Sequence, residues 1–149
     1  MEQSSEDVAR MRKSHEEQKR TLETVMGELT KQGIAYETAH RAQLGEMRER
    51  MQEYDLVVTV GGDGTFLEAS HYVEHTPMLG VNSDSNHSVG FYCATNGEHF
   101  AELLQNLNQT PKTTVSRLEI ILQGKKISEP VLNDVLIAHH NPAAMTRYT

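Results

Sequence analysis

The sequence has one cysteine, Cys93, in 149 residues, which excludes an internal disulfide framework and fits a reducing compartment, the cytoplasm being the expectation. It also lacks any apolar run approaching the roughly 18 residues of a membrane span, and residues 1–30 are too charged for a signal peptide. No membrane association is expected. Basic residues are in the minority, with 14 Lys and Arg against 21 Asp and Glu, a net charge of −7 and no basic cluster. Nucleic acid and anionic membrane surfaces are therefore not expected partners. A polyphosphate ligand remains compatible, provided that backbone amides, a divalent cation or residues brought from elsewhere supply the local positive potential. Apolar residues make up 37%, below the roughly 45–50% of globular domains, and the deficit sits in the charged first fifty residues. There is no internal repeat and no low-complexity tract.

What is present alternates between two periods. From Ser4 to Gln32 the chain is rich in Glu, Lys, Arg and Gln, and Leu22, Val25, Met26 and Leu29 form one apolar stripe at helical spacing. Gly33 is placed to terminate that helix, and Ile34-Ala35-Tyr36 reads as a short strand. A second helix carries Leu44, Met47 and Met51, and Tyr54 leads into Asp55-Leu56-Val57-Val58-Thr59-Val60. So continuous a β-branched run between helices predicts a strand of a parallel sheet. Residues 65–73 read as a helix, Pro77-Met78-Leu79-Gly80-Val81 as a strand, and residues 98–107 as a helix with Phe100, Leu103, Leu104 and Leu107 on one face. This is an α/β alternation. After Gln109-Thr110-Pro111 helical periodicity stops. Val115 to Leu122, a turn at Gln123-Gly124-Lys125, and Val131 to Ala138 read as successive strands. A domain boundary is expected near Lys112. The first helix lacks a strand before it, and two or three strands are too few for an independent β domain, so both ends read as truncated.

The sharpest chemical signal is Gly61-Gly62-Asp63-Gly64-Thr65, between a strand and a helix. In α/β sheets, ligands bind beyond the carboxyl ends of the strands, where glycines let the backbone approach a phosphate and a helix start presents N–H groups. Thr65 and Glu68 have capping-box spacing, which predicts a helix start at that point. Asp63 then occupies the tip of the turn, where a carboxylate can accept a proton from an attacking hydroxyl or help to hold a metal. The plainer alternative is a tight turn that tolerates Asp.

These residues resemble the signature of a kinase superfamily that includes NAD kinases, diacylglycerol and sphingosine kinases and, in a Gly-Gly-Asp-Gly-Ser form, phosphofructokinases. Two further segments discriminate. Leu79-Gly80-Val81-Asn82-Ser83-Asp84, followed by Ser88-Val89-Gly90-Phe91, resembles the second sequence block of NAD kinases in the Asn-Ser-Asp form of one branch. Val131-Leu132-Asn133-Asp134-Val135-Leu136-Ile137 resembles the family's Asn-Glu/Asp motif, which binds the adenine and ribose of NAD, and residues 142–148 continue that block with Arg147 as a phosphate contact. An amide and a carboxylate in an apolar strand need partners if buried, the plainer alternative being a bulge or strand edge. The likeness spans residues 55–148, and residues 14–36 resemble the family's first helix and following strand. Lipid kinases lack a counterpart of the Asn133-Asp134 strand.

The resemblance implies a Rossmann-like parallel-sheet domain over 1–112, N-terminally truncated, followed over 113–149 by the incomplete beginning of a mainly β domain. It implies phosphorylation of the adenosine-ribose 2′-hydroxyl of NAD to give NADP, with ATP or polyphosphate as donor and a divalent cation, usually magnesium, carried by the nucleotide. Asp63 would assist proton removal, and Asp63, Gly64, Asn133 and Asp134 would contact NAD. Gly61, Gly62, Thr65, Asn82 and Arg147 would face the donor phosphates. A homo-oligomeric parent is implied. The competing readings are a non-catalytic nucleotide-binding or assembly module and a lipid kinase sharing the glycine-aspartate turn.

Three weaker patterns point elsewhere and are set aside. His71-Tyr72-Val73-Glu74-His75 has the spacing of inverted zinc peptidases, but it lies at a helix end before Pro77 without a marked third ligand, so no protein-held metal is expected. His139 and His140 are adjacent and would face opposite sides of a strand. Gly124-Lys125 lacks the preceding glycine run and following hydroxyl of a P-loop, and reads as a hairpin turn. The later Gly-Ser/Thr-rich segment of the family's β domain is absent from these residues. The 149 residues alone are accordingly expected to form little or no NADP in a coupled assay; robust turnover would refute this.

Overall fold

The computed structural model describes residues 2–126 and 130–141, and the chain divides into two compact units, Met1–Thr114 and Val115–Thr149. The first unit begins with α1 (Glu2–Lys31), a 30-residue helix about 45 Å long at 1.5 Å per residue. It stops at Gly33, whose φ of +68° suits a residue without Cβ. The Gly33 N–H donates to the Thr30 carbonyl and the Ile34 N–H to the Leu29 carbonyl, the Schellman arrangement that satisfies terminal carbonyls. The expected terminator is therefore in place. Ile34-Ala35-Tyr36, expected as a strand, has no strand assignment: Ile34 and Tyr36 are exposed, and the Tyr36 hydroxyl bonds Thr30 Oγ1 instead of entering a ladder.

A 3₁₀ turn (Arg41–Gln43) and α2 (Leu44–Met51) lead to β1 (Val57–Gly61), then α3 (Asp63–Ser70), β2 (Met78–Asn82), β3 (Cys93–Asn96) and α4 (Phe100–Gln105). The strands form one parallel sheet in the order β1-β2-β3, with Val58 opposite Leu79 and Val60 opposite Val81. This is the α/β layering that the strand and helix periodicities predict and the Rossmann-like sheet that the resemblance implies. Leu79 and Val81 are buried with Val25 of α1 and Phe100 and Leu104 of α4, and Val58, Val60, Leu103 and Leu107 pack around them. Alternation puts Thr59 and Gly80 on the other sheet face, and α3 lies against β1 and β2. Burying a Leu or Val side chain contributes about 1.5–3 kcal/mol, so this small cluster is the main cohesive element of the unit.

Three expectations shift. The stripe of α1 is rotated, because Thr21 and Val25 are buried while Leu22 is exposed. The helix placed at 65–73 begins two residues earlier and ends at Ser70. β3 goes unrecognised in the sequence because Cys93-Ala94-Thr95-Asn96 is short and has almost no apolar signal.

Among its described residues the second unit holds one hairpin, β4 (Ile121–Leu122) and β5 (Lys125–Lys126), closed by Gln123 and Gly124 with φ of +50° and +75°. Two consecutive positive-φ residues are what a tight hairpin of native twist requires. The expected turn is present, but the long strands expected at 115–122 and 131–138 are not. Beyond the hairpin, pairing among the described residues is confined to Leu118 and Val131, which exchange hydrogen bonds of 2.7 and 2.8 Å. Leu118, Ile121, Leu122, Leu136 and Ile137 are exposed, so the apolar pattern has no packed face to organise it into longer strands.

At Gly80 the backbone of β2 passes closest to neighbouring backbone. A Cβ there would lie 2.7 Å from the Tyr92 carbonyl oxygen and 2.9 Å from Cys93 Cα, whereas nothing lies within 4 Å of one at Gly27 in α1. Gly80→Ala is expected to lose about 1–3 kcal/mol of stability and Gly27→Ala to gain roughly 0.5–1 kcal/mol, read from denaturant midpoints. Equal midpoints for the two variants would contradict this packing.

Candidate functional site

The carboxyl ends of β1 and β2 carry the polar groups that the sheet gathers. Gly61 ends β1, and Gly62, extended at φ −101° and ψ −167°, is the N-cap of α3. The Gly62 carbonyl accepts from the N–H groups of Thr65 and Phe66, so the helix starts at Asp63 without a side-chain cap. The expected capping box at Thr65 and Glu68 is not formed. Thr65 instead leans over Gly61, where any Cβ would collide with it, and Glu68 pairs with Arg41. Two residues without side chains let strand become helix in one step, which makes a later cap unnecessary.

Asp63 accepts 2.7 and 2.9 Å hydrogen bonds from the N–H groups of Tyr92 and Phe91. Its carboxylate sits in the first turn of α3, where the helix dipole favours negative charge. Tyr92 stacks on Phe66 of α3 with ring centroids 5.4 Å apart, and Phe91, 80% exposed, meets Tyr92 edge-on. The loop between β2 and β3 is thus fastened to α3 twice, by charge and by ring packing. Cys93 follows directly, its Sγ 3.8 Å from the Gly61 carbonyl oxygen; burial, and then the Asp63 charge, push its thiol up to about 11.

At the other end of that loop the side chain of Asn82 is buried, accepting from the Asp84 N–H and donating to the Ser88 carbonyl. The Ser83 N–H donates to the Gly61 carbonyl across the strand ends. Asp84 pairs with His87 at 2.7 Å. The His87 hydrogen bond, aided by one from Ser14, holds the Asp84 carboxyl below the usual range against an opposing effect of burial.

These groups border a cleft of about 500 Å³. Gly61, Gly62, Thr65 and Asn82 line it, together with Asp84, His87 and Ser88 of the loop. Its far wall is α1, through Arg10, Met11, Ser14 and Gln18. Gln18 Nε2 donates to the Val60 carbonyl at 3.4 Å and Thr21 Oγ1 to the Ser83 carbonyl at 3.5 Å, which seats the helix against the strand ends.

Of the residues named from sequence, Gly61, Gly62, Thr65 and Asn82 therefore come together in one cleft. Asp63 is beside it, engaged with the loop backbone, and Gly64 faces open space. Asn133 and Asp134 belong to the second unit; both are exposed outside any strand, and Asn133 Nδ2 donates to Asp134 Oδ2 at 3.1 Å. The expectation of an apolar strand around them is corrected, since exposed polar groups need no ladder partner. Arg147 lies outside the described residues. Sequence reasoning missed Arg10, Ser14 and Gln18, whose signal was a spacing of four on α1. At His71 and His75 α3 has already ended, at Ser70, and no cluster of three or more ligating side chains occurs among the described residues. Nor is any described helix long and apolar enough to cross a membrane.

A parallel sheet with helices on both faces and polar turns meeting at its carboxyl edge defines an α/β protein of the Rossmann-like class, with its cleft where such sheets bind ligands. Residues 2–112 match the family model of the ATP-NAD kinase N-terminal domain, and the chain belongs to that family. Similar proteins include a probable NADH kinase of Oryza sativa subsp. japonica, 32% identical over 125 residues, which is 72% of this chain and 38% of the relative. An NADH kinase of Arabidopsis thaliana is 32% identical over 100 residues, covering 55% of this chain and 32% of the relative. NAD kinase 1 of Oceanobacillus iheyensis is 40% identical over 77 residues, covering 48% and 28%. The chain thus spans about a third of the length of these relatives.

Removing the Asp63 carboxylate tests the loop fastening. Asp63→Ala is expected to speed amide exchange at Phe91 and Tyr92 roughly ten- to hundred-fold, the worth of a charge-assisted hydrogen bond. It should also lower the midpoint pH for alkylation of Cys93 by iodoacetamide, which burial and then the Asp63 charge raise to about 11. Because folding raises this pKa from 9.0, the associated stability is complete below 9.0 and is lost as pH rises through about 11. Unchanged exchange at both amides would show that the loop is held by something else.

Proposed function

We propose that the chain acts in NAD phosphorylation, moving a phosphoryl group from ATP, or from polyphosphate, to the adenosine-ribose 2′-hydroxyl of NAD to give NADP. The observation that carries this reading is the cleft itself: Gly61, Gly62, Thr65 and Asn82 face it, and Asp63 follows Gly62 directly, on the first turn of α3. Phosphoryl transfer asks for positioning and charge neutralisation more than for covalent chemistry. The glycine turn admits phosphate oxygens close to the backbone, and the first N–H groups of α3, which the helical ladder leaves without acceptors, are suited to receive them.

Asp63 is proposed as the proton acceptor for the 2′-hydroxyl. Its two amide donors fix the carboxylate in place while each oxygen keeps a second lone pair for an incoming hydroxyl. Asn133 and Asp134 are proposed NAD contacts, an amide and a carboxylate being able to read a base edge and sugar hydroxyls, with Gly64 offering close backbone approach and Arg147 a phosphate contact. Magnesium travels with the donor as part of the substrate and neutralises γ-phosphate charge. A cytoplasmic setting and a homo-oligomeric whole protein complete the proposal. Two of the relatives are named NADH kinases, so the reduced dinucleotide is the second acceptor to be tried.

The test joins these residues to the remaining length of the rice relative and measures NADP and NADPH formation. The expected result is turnover that falls roughly 10²–10⁴-fold in Asp63→Asn while dinucleotide affinity is kept. Full turnover in Asp63→Asn would remove the aspartate from the chemistry. Failure of the unmutated chimera to bind either dinucleotide would remove the reading altogether.

A further inference from the structure

The proposed donor cleft has a wall that the glycine turn does not provide. Gln18, level with the Val60 carbonyl, marks where α1 reaches the strand ends, and each four residues toward its N-terminus carry it about 6 Å further. Ser14 and Arg10 thus stand one and two steps beyond the sheet edge, on the helix face that lines the cleft. Ser14 bonds Asp84, linking helix and loop at that level. Arg10 lies above it.

The charges around this space are few. Asp84 is hydrogen-bonded to His87 and to Ser14, and Arg10 makes an exposed 3.4 Å contact to Asp7, of a kind worth little. The guanidinium is therefore available to a better partner. Opposite it are Gly61 and Gly62 and the start of α3, where backbone groups can bind one end of an anion but no side-chain cation is present among the cleft-lining residues of that wall. The chain carries −7 overall, so an entering polyphosphate needs a local cation.

We propose that Arg10 is that cation: α1 completes the donor subsite, with the Arg10 guanidinium holding the outer phosphates of a linear polyphosphate whose inner end rests on the Gly61-Gly62 turn. The assignment rests on the donor-cleft reading above and adds a phosphate-binding residue from outside the glycine motif. The chemistry recognised is a row of phosphates, whether carried by a nucleoside or free.

The experiment titrates the 149-residue chain with tripolyphosphate and with magnesium ATP by calorimetry at low salt, for wild type, Arg10→Ala, Arg10→Lys, and Lys13→Ala as a cation outside the cleft. Thermal unfolding confirms that each variant is folded. Expected are binding of both ligands, a loss of about tenfold or more in Arg10→Ala, partial recovery in Arg10→Lys, and no change in Lys13→Ala. Binding confined to magnesium ATP, with the same dependence on Arg10, would support the subsite and identify the nucleotide as its source. Equal affinity of Arg10→Ala and wild type would overturn the role of Arg10 and leave the donor cleft standing. Equal losses in Arg10→Ala and Lys13→Ala would overturn it as unspecific attraction. No binding of either ligand by the wild type would overturn both this inference and the donor-cleft reading.

Discussion

Asp63 accepts hydrogen bonds from the Phe91 and Tyr92 N–H groups, and the placing of the glycine turn against the β2–β3 loop depends on this pair of bonds. The carboxylate joins the start of α3 to a loop almost thirty residues further on, so the glycine turn and the Asn82–Ser88 segment keep a fixed separation. The Phe66–Tyr92 stack adds a second attachment on the same side. Charge-assisted bonds to backbone are roughly twice as strong as neutral ones, and ring stacking contributes about 0.5–1.5 kcal/mol beyond area. A residue first noticed for the chemistry it could perform is thus also a structural tie. The roles are compatible, because a carboxylate fixed by two amides loses little freedom when a hydroxyl approaches it.

The sheet explains why the tie sits where it does. Gly61 and Asn82 are register partners at the ends of β1 and β2, and the Ser83 N–H closes the gap to the Gly61 carbonyl. Gly80 lets the backbone around Tyr92 and Cys93 pass close to β2, which brings the Phe91 and Tyr92 amides within reach of Asp63. A larger residue at position 80 would move the anchor points rather than merely loosen the core.

Much of this was legible in the sequence. Continuous apolar runs located β1 and β2, the 3.6-residue period located α4, and glycines marked the turn at 61–64 and the end of α1. What was not legible depends on partners distant in sequence. The capping pattern at Thr65 and Glu68 is real as a spacing, yet the two glycines before it let the helix start sooner and Arg41 takes the glutamate. β3 exists because β2 offers it a ladder, not because its own residues favour a strand. The apolar stretches after residue 115 have β character but no packed face among the described residues, so only a two-residue hairpin and one bridge form. The contribution of α1 to the cleft was hidden because a spacing of four polar residues looks the same on any solvated helix.

The N-terminal turns of α1 run past the sheet, and residues 6–13 are exposed along their length. Short helical stretches of that size are marginal in water without tertiary support. On the proposed role of Arg10, their winding would be linked to cleft occupancy: a ligand bridging the guanidinium to the strand ends would also bear the entropy of keeping those turns wound. Helix content in the far ultraviolet would then rise as the cleft fills.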